Sequence, residues 1–250
     1  MDYDFLTPAY SAAQISRIES LRERIAERGD AVSAGRVIPD DSELVIGTGR
    51  RLNMAVMFLD LCRFSSRPSE SSNDQDYLLR ALNLFFTEMI KIAEDYGGVV
   101  EKNTGDGLMT YFNDNEGTPP EIGCKRAVSC ALTMFHATTR HINRILRASK
   151  MEEFTFRIGI DYGAVTIARI GAARRFGSLV AVGATANVAC KMLSVADPGE
   201  ILLGENVVRQ LPAEWRNRWC VLKEEHTGWN FLHDGGPYRY FKYISRWIIP

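Results

Sequence analysis

The segment Val99–Phe112, V-V-E-K-N-T-G-D-G-L-M-T-Y-F, constrains the fold more than any other stretch of the chain. Two β-prone runs flank Thr104-Gly105-Asp106-Gly107, and a Gly-rich turn between such runs predicts a β-hairpin. An isolated hairpin is marginal in water, so further strands or helices must cover its apolar face. The chain supplies both upstream. Residues 52–61, L-N-M-A-V-M-F-L-D-L, read as a buried strand with a carboxylate, Asp60, near its end. A polar loop at 62–75 leads to a predicted helix at about 76–96, with Leu78, Leu82, Phe85, Met89 and Ile92 as its apolar positions. Asn73 or Asp74 is the expected cap, and Gly97-Gly98 the stop.

Downstream, a long helix is expected at roughly 119–147, with prolines at its start. Strands follow at about 154–161 and 164–171, broken at Tyr162-Gly163, then a helix at about 183–196 and a strand at 200–204. The tail, with Trp215, Trp219, Tyr238, Tyr240, Phe241 and Tyr243, reads as a short helix and a last hairpin. Residues 10–28 carry Ile15, Ile18, Leu21 and Ile25 on a narrow helical stripe that packs either on the main domain or on a second copy. The predicted division is an N-terminal helix and connector at 1–50 and one domain at 51–250. The order β-α-β-β-α-β, with additions, is an α+β fold of the ferredoxin-like split βαβ kind. It sets the end of the first strand beside the hairpin, making Asp60 and Asp106 neighbours in space.

Composition narrows the function classes. The 250 residues, 46% hydrophobic and 24% charged, suit one large soluble domain. A net charge of −1 without a long basic run leaves no electrostatic footprint for nucleic acid. No apolar run approaches the ~18 residues of a membrane helix, and the acidic N-terminus lacks a signal-peptide core, so a cytoplasmic protein is expected. Cys62, Cys124, Cys130, Cys190 and Cys220 contain no C-x-x-C pair and predict buried or partly buried thiols.

Two carboxylates at adjacent strand ends suit divalent, oxygen-loving metals such as Mg²⁺, whose shell is completed by phosphates and water. A pair of such ions stabilises the attacking and leaving oxygens of an in-line displacement at phosphorus. The glycines around Asp106 let a phosphate approach the backbone. The alternative is a strand end and a turn with no ligand.

Four stretches, in order, resemble the motifs of the class III nucleotide cyclases: F-L-D-L-C-R-F-S-S, G-G-V-V-E-K-N-T-G-D-G-L-M-T-Y-F, F-R-I-G-I-D-Y-G-A-V-T-I-A-R-I-G and V-A-V-G-A-T-A-N-V-A-C-K-M-L. The resemblance covers residues 52–204. It implies a cyclase fold, two Mg²⁺ or Mn²⁺ ions on Asp60, Asp106 and the backbone carbonyl of Leu61, and a triphosphate loop at Phe64 and Ser65. It also implies base reading by Lys102, ribose orientation by Asn187, and a homodimer in which Lys102 and Asn187 face the metal pair of the other chain.

Two positions depart from the family pattern. Lys191 stands where the family has its transition-state arginine; it keeps the charge and loses the bidentate fork. Arg169, Arg174 or Arg175 could take that role. Val180 stands at the second base-reading position and offers no acceptor to an exocyclic amino group. An unpaired buried amino group costs about 1–3 kcal/mol, so uracil, with carbonyls for Lys102, is favoured. With Lys102, and with no sensor domain expected, Val180 makes the chain resemble the stand-alone pyrimidine cyclases of Pycsar antiphage systems. That implies UTP, or else CTP, as substrate and a separate effector that senses the cyclic product. Purine cyclases, a degenerate nucleotide-binding domain and a two-metal nuclease or polymerase palm are the competing readings.

Other features carry less. G-T-G-R-R at 47–51 lacks the strand and third glycine of a dinucleotide fingerprint. Lys223 lies in the region where the family places a triphosphate lysine, and the match there is loose. His136 and His141, five apart on a predicted helix, are wrongly spaced for a shared metal and read as surface or packing residues.

Overall fold

The computed structural model describes residues 32–34, 48–103, 105–113, 120–173, 176–223, 228–231 and 235–246. The expected helix at 10–28 lies outside them. One mixed sheet organises the chain: β1 (Val32–Ala34), β2 (Gly49–Leu61), β3 (Val99–Asn103), β4 (Gly107–Asn113), β5 (Phe156–Ala173), β6 (Phe176–Val182), β7 (Ile201–Gly204), β8 (Cys220–Leu222) and β9 (Tyr240–Tyr243). Its order is β3-β4-β2-β5-β7-β9-β8, with β1 parallel to β2 and β6 antiparallel to β5. The helices are α1 (Ser72–Asp95), α2 (Pro120–Ala137), α3 (Asn143–Ala148), α4 (Ala184–Val195), α5 (Glu205–Gln210) and α6 (Ala213–Trp219). This is the α+β arrangement expected from the element order.

The unbroken apolar run of β2 has its cause in burial on both faces. Ala55, Met57, Leu59 and Leu61 share one cluster with Phe85 and Met89 of α1 and Cys124 and Val128 of α2. Leu52, Met54 and Val56 share another with Val165 and Ile167 of β5 and Ala186 and Ala189 of α4. The layers are therefore α1 and α2, sheet, α4. At Gly159 of β5 the helix backbone rests on the strand: an added Cβ would overlap the Ala189 carbonyl oxygen.

Three elements differ from expectation. First, α1 begins at Ser72, four residues early, because Ser71 caps it. The Ser71 hydroxyl accepts the Asp74 amide at 3.1 Å, and the Asp74 carboxylate accepts the Ser71 amide at 3.3 Å, a capping box with aspartate as its return arm.

Second, Tyr162-Gly163 is no break. β5 runs unbroken for 18 residues, and it pairs with β2 from Leu61↔Phe156 to Gly49↔Ala168. Gly163 serves close packing instead, since a Cβ there would stand 2.7 Å from Thr185 Oγ1. The distal half of β5 pairs with β6, a strand not foreseen.

Third, the helix expected at 119–147 is interrupted by a π turn at Thr138–Ile142. The Thr138 and Thr139 hydroxyls donate to the Met134 and Phe135 carbonyls at 2.9 and 2.8 Å. Such bonds compete with the helix's own amides and deform it. Asn143 follows and clamps Phe154, its Nδ2 donating to the carbonyl and its Oδ1 accepting the amide, both at 2.9 Å.

The tail is tied to β5 by a buried contact. Asp161 is 2% exposed and accepts the Tyr238 hydroxyl. Burial pushes its carboxyl up to about 7, against the opposing pull of the Tyr238 and Tyr162 hydrogen bonds.

Candidate active site

Asp60, one residue short of the end of β2, pairs with Gly107 of β4 and with Arg157 of β5. The Leu61 amide donates to the Asp106 carbonyl at 2.8 Å. The turn carrying Asp106 is thus fastened to the residue that follows Asp60, and both aspartates are half-buried at one end of the sheet. The Leu61 side chain is buried in the core, leaving its backbone as the part that a ligand could use.

Arg157 contacts Asp60 directly, a neighbour that the sequence reading missed. Its Nε and Nη2 donate to Asp60 Oδ2 at 3.0 and 2.9 Å, and Nη1 reaches the Ala196 carbonyl at 3.4 Å. The side chains remain 30% and 24% exposed, so the pair is worth little to stability. It fixes the direction of the carboxylate and sets a permanent cation beside it. The signal was present in F-R-I-G-I-D, but only the β2–β5 register shows that Arg157 lands opposite Asp60.

The donor set fits divalent ions of the Mg²⁺ type. Among the described residues no group of three or more His, Cys, Asp or Glu side chains converges as a metal cage. One or two carboxylates with a carbonyl are what Mg²⁺ takes when substrate phosphates and water supply the rest.

The other expected residues fall in three places. Phe64 and Ser65 form a 3-10 turn, Phe64–Ser66, directly after β2, entered through Arg63 at φ 55°. Phe64 packs partly buried on the core, and Ser65 is exposed. Lys102 lies in β3, where a bulge at Glu101 shifts its backbone into register with Met109; its side chain is outside the described set. Val180 sits in β6 opposite Ala168, half-buried, four residues before α4 begins at Ala184.

Asn187 and Lys191 lie one turn apart on the exposed face of α4, as i and i+4 must. Cys190 between them is exposed too, contrary to expectation, whereas Cys62, Cys124 and Cys130 are buried. Arg169 is in β5, its amide donating to the Thr48 carbonyl at 3.4 Å. Arg174 and Arg175 lie outside the described residues.

Lys223 follows β8, with Nζ 3.8 Å from Glu200 Oε2, while Lys242 Nζ stands 2.7 Å from Oε1. Burial alone would raise the Glu200 carboxyl. Hydrogen bonds from Lys242 and the Asp197 amide, with the charge of Lys223, outweigh burial and hold it below its usual value.

Asp60, through Arg157, stands by Ala196 just past the C-terminus of α4, whereas Asn187 is in the first turn. Nine residues of helix separate those two levels by about 13 Å.

A sequence profile of the adenylate and guanylate cyclase catalytic domain matches residues 48–226. The chain belongs to this family. An adenylate cyclase of Anabaena cylindrica is 28% identical over 171 residues, 66% of this chain and 32% of the relative. A cytidylate cyclase of Staphylococcus aureus is 22% identical over 207 residues, 80% of this chain and 48% of the relative. The chain thus spans half or less of the length of these relatives. Among solved structures, the adenylyl cyclase CyaB from P. aeruginosa superposes with a TM-score of 0.64 at 24% identity, over 79% of this chain and 96% of that one. The likeness places the fold of this cyclase domain. No helix among its described residues is long and apolar enough to cross a membrane.

Proposed function

We propose that this domain is a metal-dependent nucleotide cyclase acting on a pyrimidine nucleoside triphosphate, UTP before CTP. The ribose 3′-oxygen bonds to the α-phosphorus, the bond from that phosphorus to the bridging oxygen breaks, and pyrophosphate leaves. Asp60, Asp106 and the Leu61 carbonyl would hold two Mg²⁺ or Mn²⁺ ions, which acidify the 3′-hydroxyl and shield the leaving group. The protein's own part is positioning and fixed charge, the main levers in phosphoryl transfer. Arg157 orients Asp60, the Phe64–Ser65 turn lies against the triphosphate, Asn187 orients the ribose, Lys191 faces the α-phosphate and Lys102 donates to the base.

The observation that carries the substrate choice is Val180, a half-buried aliphatic side chain at the base-reading position. It gives an amino group no acceptor and narrows the space for a second ring. Relatedness to a cytidylate cyclase supports a pyrimidine. The separation between Asp60 and Asn187 along α4 supports a homodimer, because one chain's ribose-orienting face is remote from its own carboxylates. A diffusible cyclic nucleotide fits a signal read by a separate effector, as in antiphage defence.

A second reading, adenylate cyclase, is favoured by the likeness to the Anabaena enzyme. Incubation with each of the four ribonucleoside triphosphates and Mn²⁺ or Mg²⁺, with products identified by mass, separates the two. Cyclic UMP is the expected main product. A preference for ATP or GTP overturns the pyrimidine reading, and no product from any triphosphate overturns the enzyme reading.

A further inference from the structure

Residues five apart on a regular α-helix project about 140° apart, at roughly 100° per residue. On that spacing His136 and His141 cannot share a ligand. The π turn at Thr138–Ile142 lies between them and changes the geometry. With i→i+5 bonding, residues five apart come onto one face, and such turns are frequent at functional sites. The two imidazole rings stand with centroids 5.7 Å apart and planes at 68°.

That spacing has a chemical meaning. Two imidazoles bound to one tetrahedral ion, each through a nitrogen at about 2.1 Å, place their centroids about 5.3 Å apart. The observed separation is within about half an ångström of this, a difference that small side-chain rotations close. We propose that His136 and His141 form a binding site for a borderline transition-metal cation such as Zn²⁺, Ni²⁺ or Cu²⁺, with water in the remaining positions.

The ligand chemistry separates this site from the carboxylate pair. Imidazole suits Zn²⁺, Ni²⁺ and Cu²⁺, whereas carboxylate and carbonyl oxygens suit Mg²⁺. His141 is exposed and His136 half-buried, so the rings are reachable from solvent. The neighbouring Arg140 and Arg144 oppose a cation by charge, so binding rests on nitrogen donation and is micromolar rather than tighter. The Thr138 and Thr139 hydroxyls, bonded to the carbonyls a turn back, hold the π turn open without metal. The same turn leads into Asn143, whose clamp on Phe154 anchors the chain just before Arg157. A bound cation therefore sits on a segment that is built, not frayed.

The test uses the full chain, stripped of metal and held in millimolar Mg²⁺ to occupy the carboxylate pair. Zn²⁺ is titrated at pH 7.5 and followed by calorimetry. The expected result is one Zn²⁺ per chain with micromolar affinity, retained in Asp60→Ala and weakened about tenfold or more in His136→Ala and in His141→Ala. Cu²⁺ bound to the wild type should show a two-nitrogen paramagnetic signature that each histidine variant loses. His141 is exposed, so its alanine variant keeps the test valid even where His136→Ala fails to fold. Zn²⁺ held equally by His141→Ala, or no uptake in the presence of Mg²⁺, overturns the site.

Discussion

Replacing Gly159 with alanine should separate catalysis from folding. Its Cβ would stand 3.0 Å from Met192 Cβ and overlap the Ala189 carbonyl oxygen by roughly 1 Å relative to ordinary contact. β5 is held between β2 and β7, so α4 is the element that yields. Overpacking of this kind costs about 1–3 kcal/mol. For a chain of this size that lowers Tm by about 2–12 °C, at about 2–4 °C per kcal/mol. α4 carries Asn187 and Lys191, and a shift of about 1 Å at reacting groups can reduce turnover about a hundredfold. Cyclic product formation from UTP and thermal unfolding are measured side by side. Val207→Ala is the control: Val207 is buried in α5, in the cluster under the opposite sheet face. It should lose about 1–3 kcal/mol while keeping turnover within about twofold below its Tm. Wild-type turnover in Gly159→Ala, or equal losses in the two variants, would refute the placement of α4 in the site.

Asp60→Ala and Asp106→Ala should each abolish product formation while circular dichroism stays native; near-normal activity with Mg²⁺ or Mn²⁺ in either rejects the two-metal assignment. Mixing Asp106→Ala with Asn187→Ala chains should restore part of the activity, because a mixed dimer holds one intact site; no recovery despite proven subunit exchange argues against a shared site. Arg157→Ala should leave unfolding stability within about 1 kcal/mol of wild type, as befits a partly exposed ion pair, yet lower kcat at least about tenfold; an unchanged kcat removes Arg157 from the site. Asp161 is held near 7 when folded, against 3.8 as its reference. Between those values the folded state keeps a proton that the unfolded chain releases, so stability falls as pH rises from about 4 to about 7 and then levels off. Asp161→Asn, which still accepts the Tyr238 hydroxyl, should flatten that slope and raise stability at pH 8 by on the order of 1–4 kcal/mol. A lower Tm than wild type at pH 8 would show the ionised carboxylate to be stabilising.

What could be read without coordinates was local chemistry. The Thr104–Gly107 turn names its own hairpin, and an unbroken apolar run names β2 as a strand covered on both sides. With those two elements the split βαβ order already brings Asp60 to Asp106, so the carboxylate pair was legible. The misreadings lie where one specific partner, a paired strand or a nearby hydrogen-bonding group, outweighs a residue's average preference. Tyr162-Gly163 has turn composition, but β2 offers a pairing partner at every residue there, and the glycine is used to admit Thr185. Ser71 lies among several polar residues, each able to cap, and only the Asp74 return bond selects it. Thr138 and Thr139 look like neutral helix residues until their hydroxyls take the carbonyls of the previous turn. Arg157 required more still, because its role depends on which residue of β2 it faces, and a slip of one residue would put it on the other side of the sheet. The same dependence divides the candidate site. Asp106, carried on a turn, announces itself in spacing. Arg157, placed by register, becomes visible only when strands are paired. Asn187 and Lys191 stand out as motif positions, and the structure adds that both are exposed on a helix whose other face is buried.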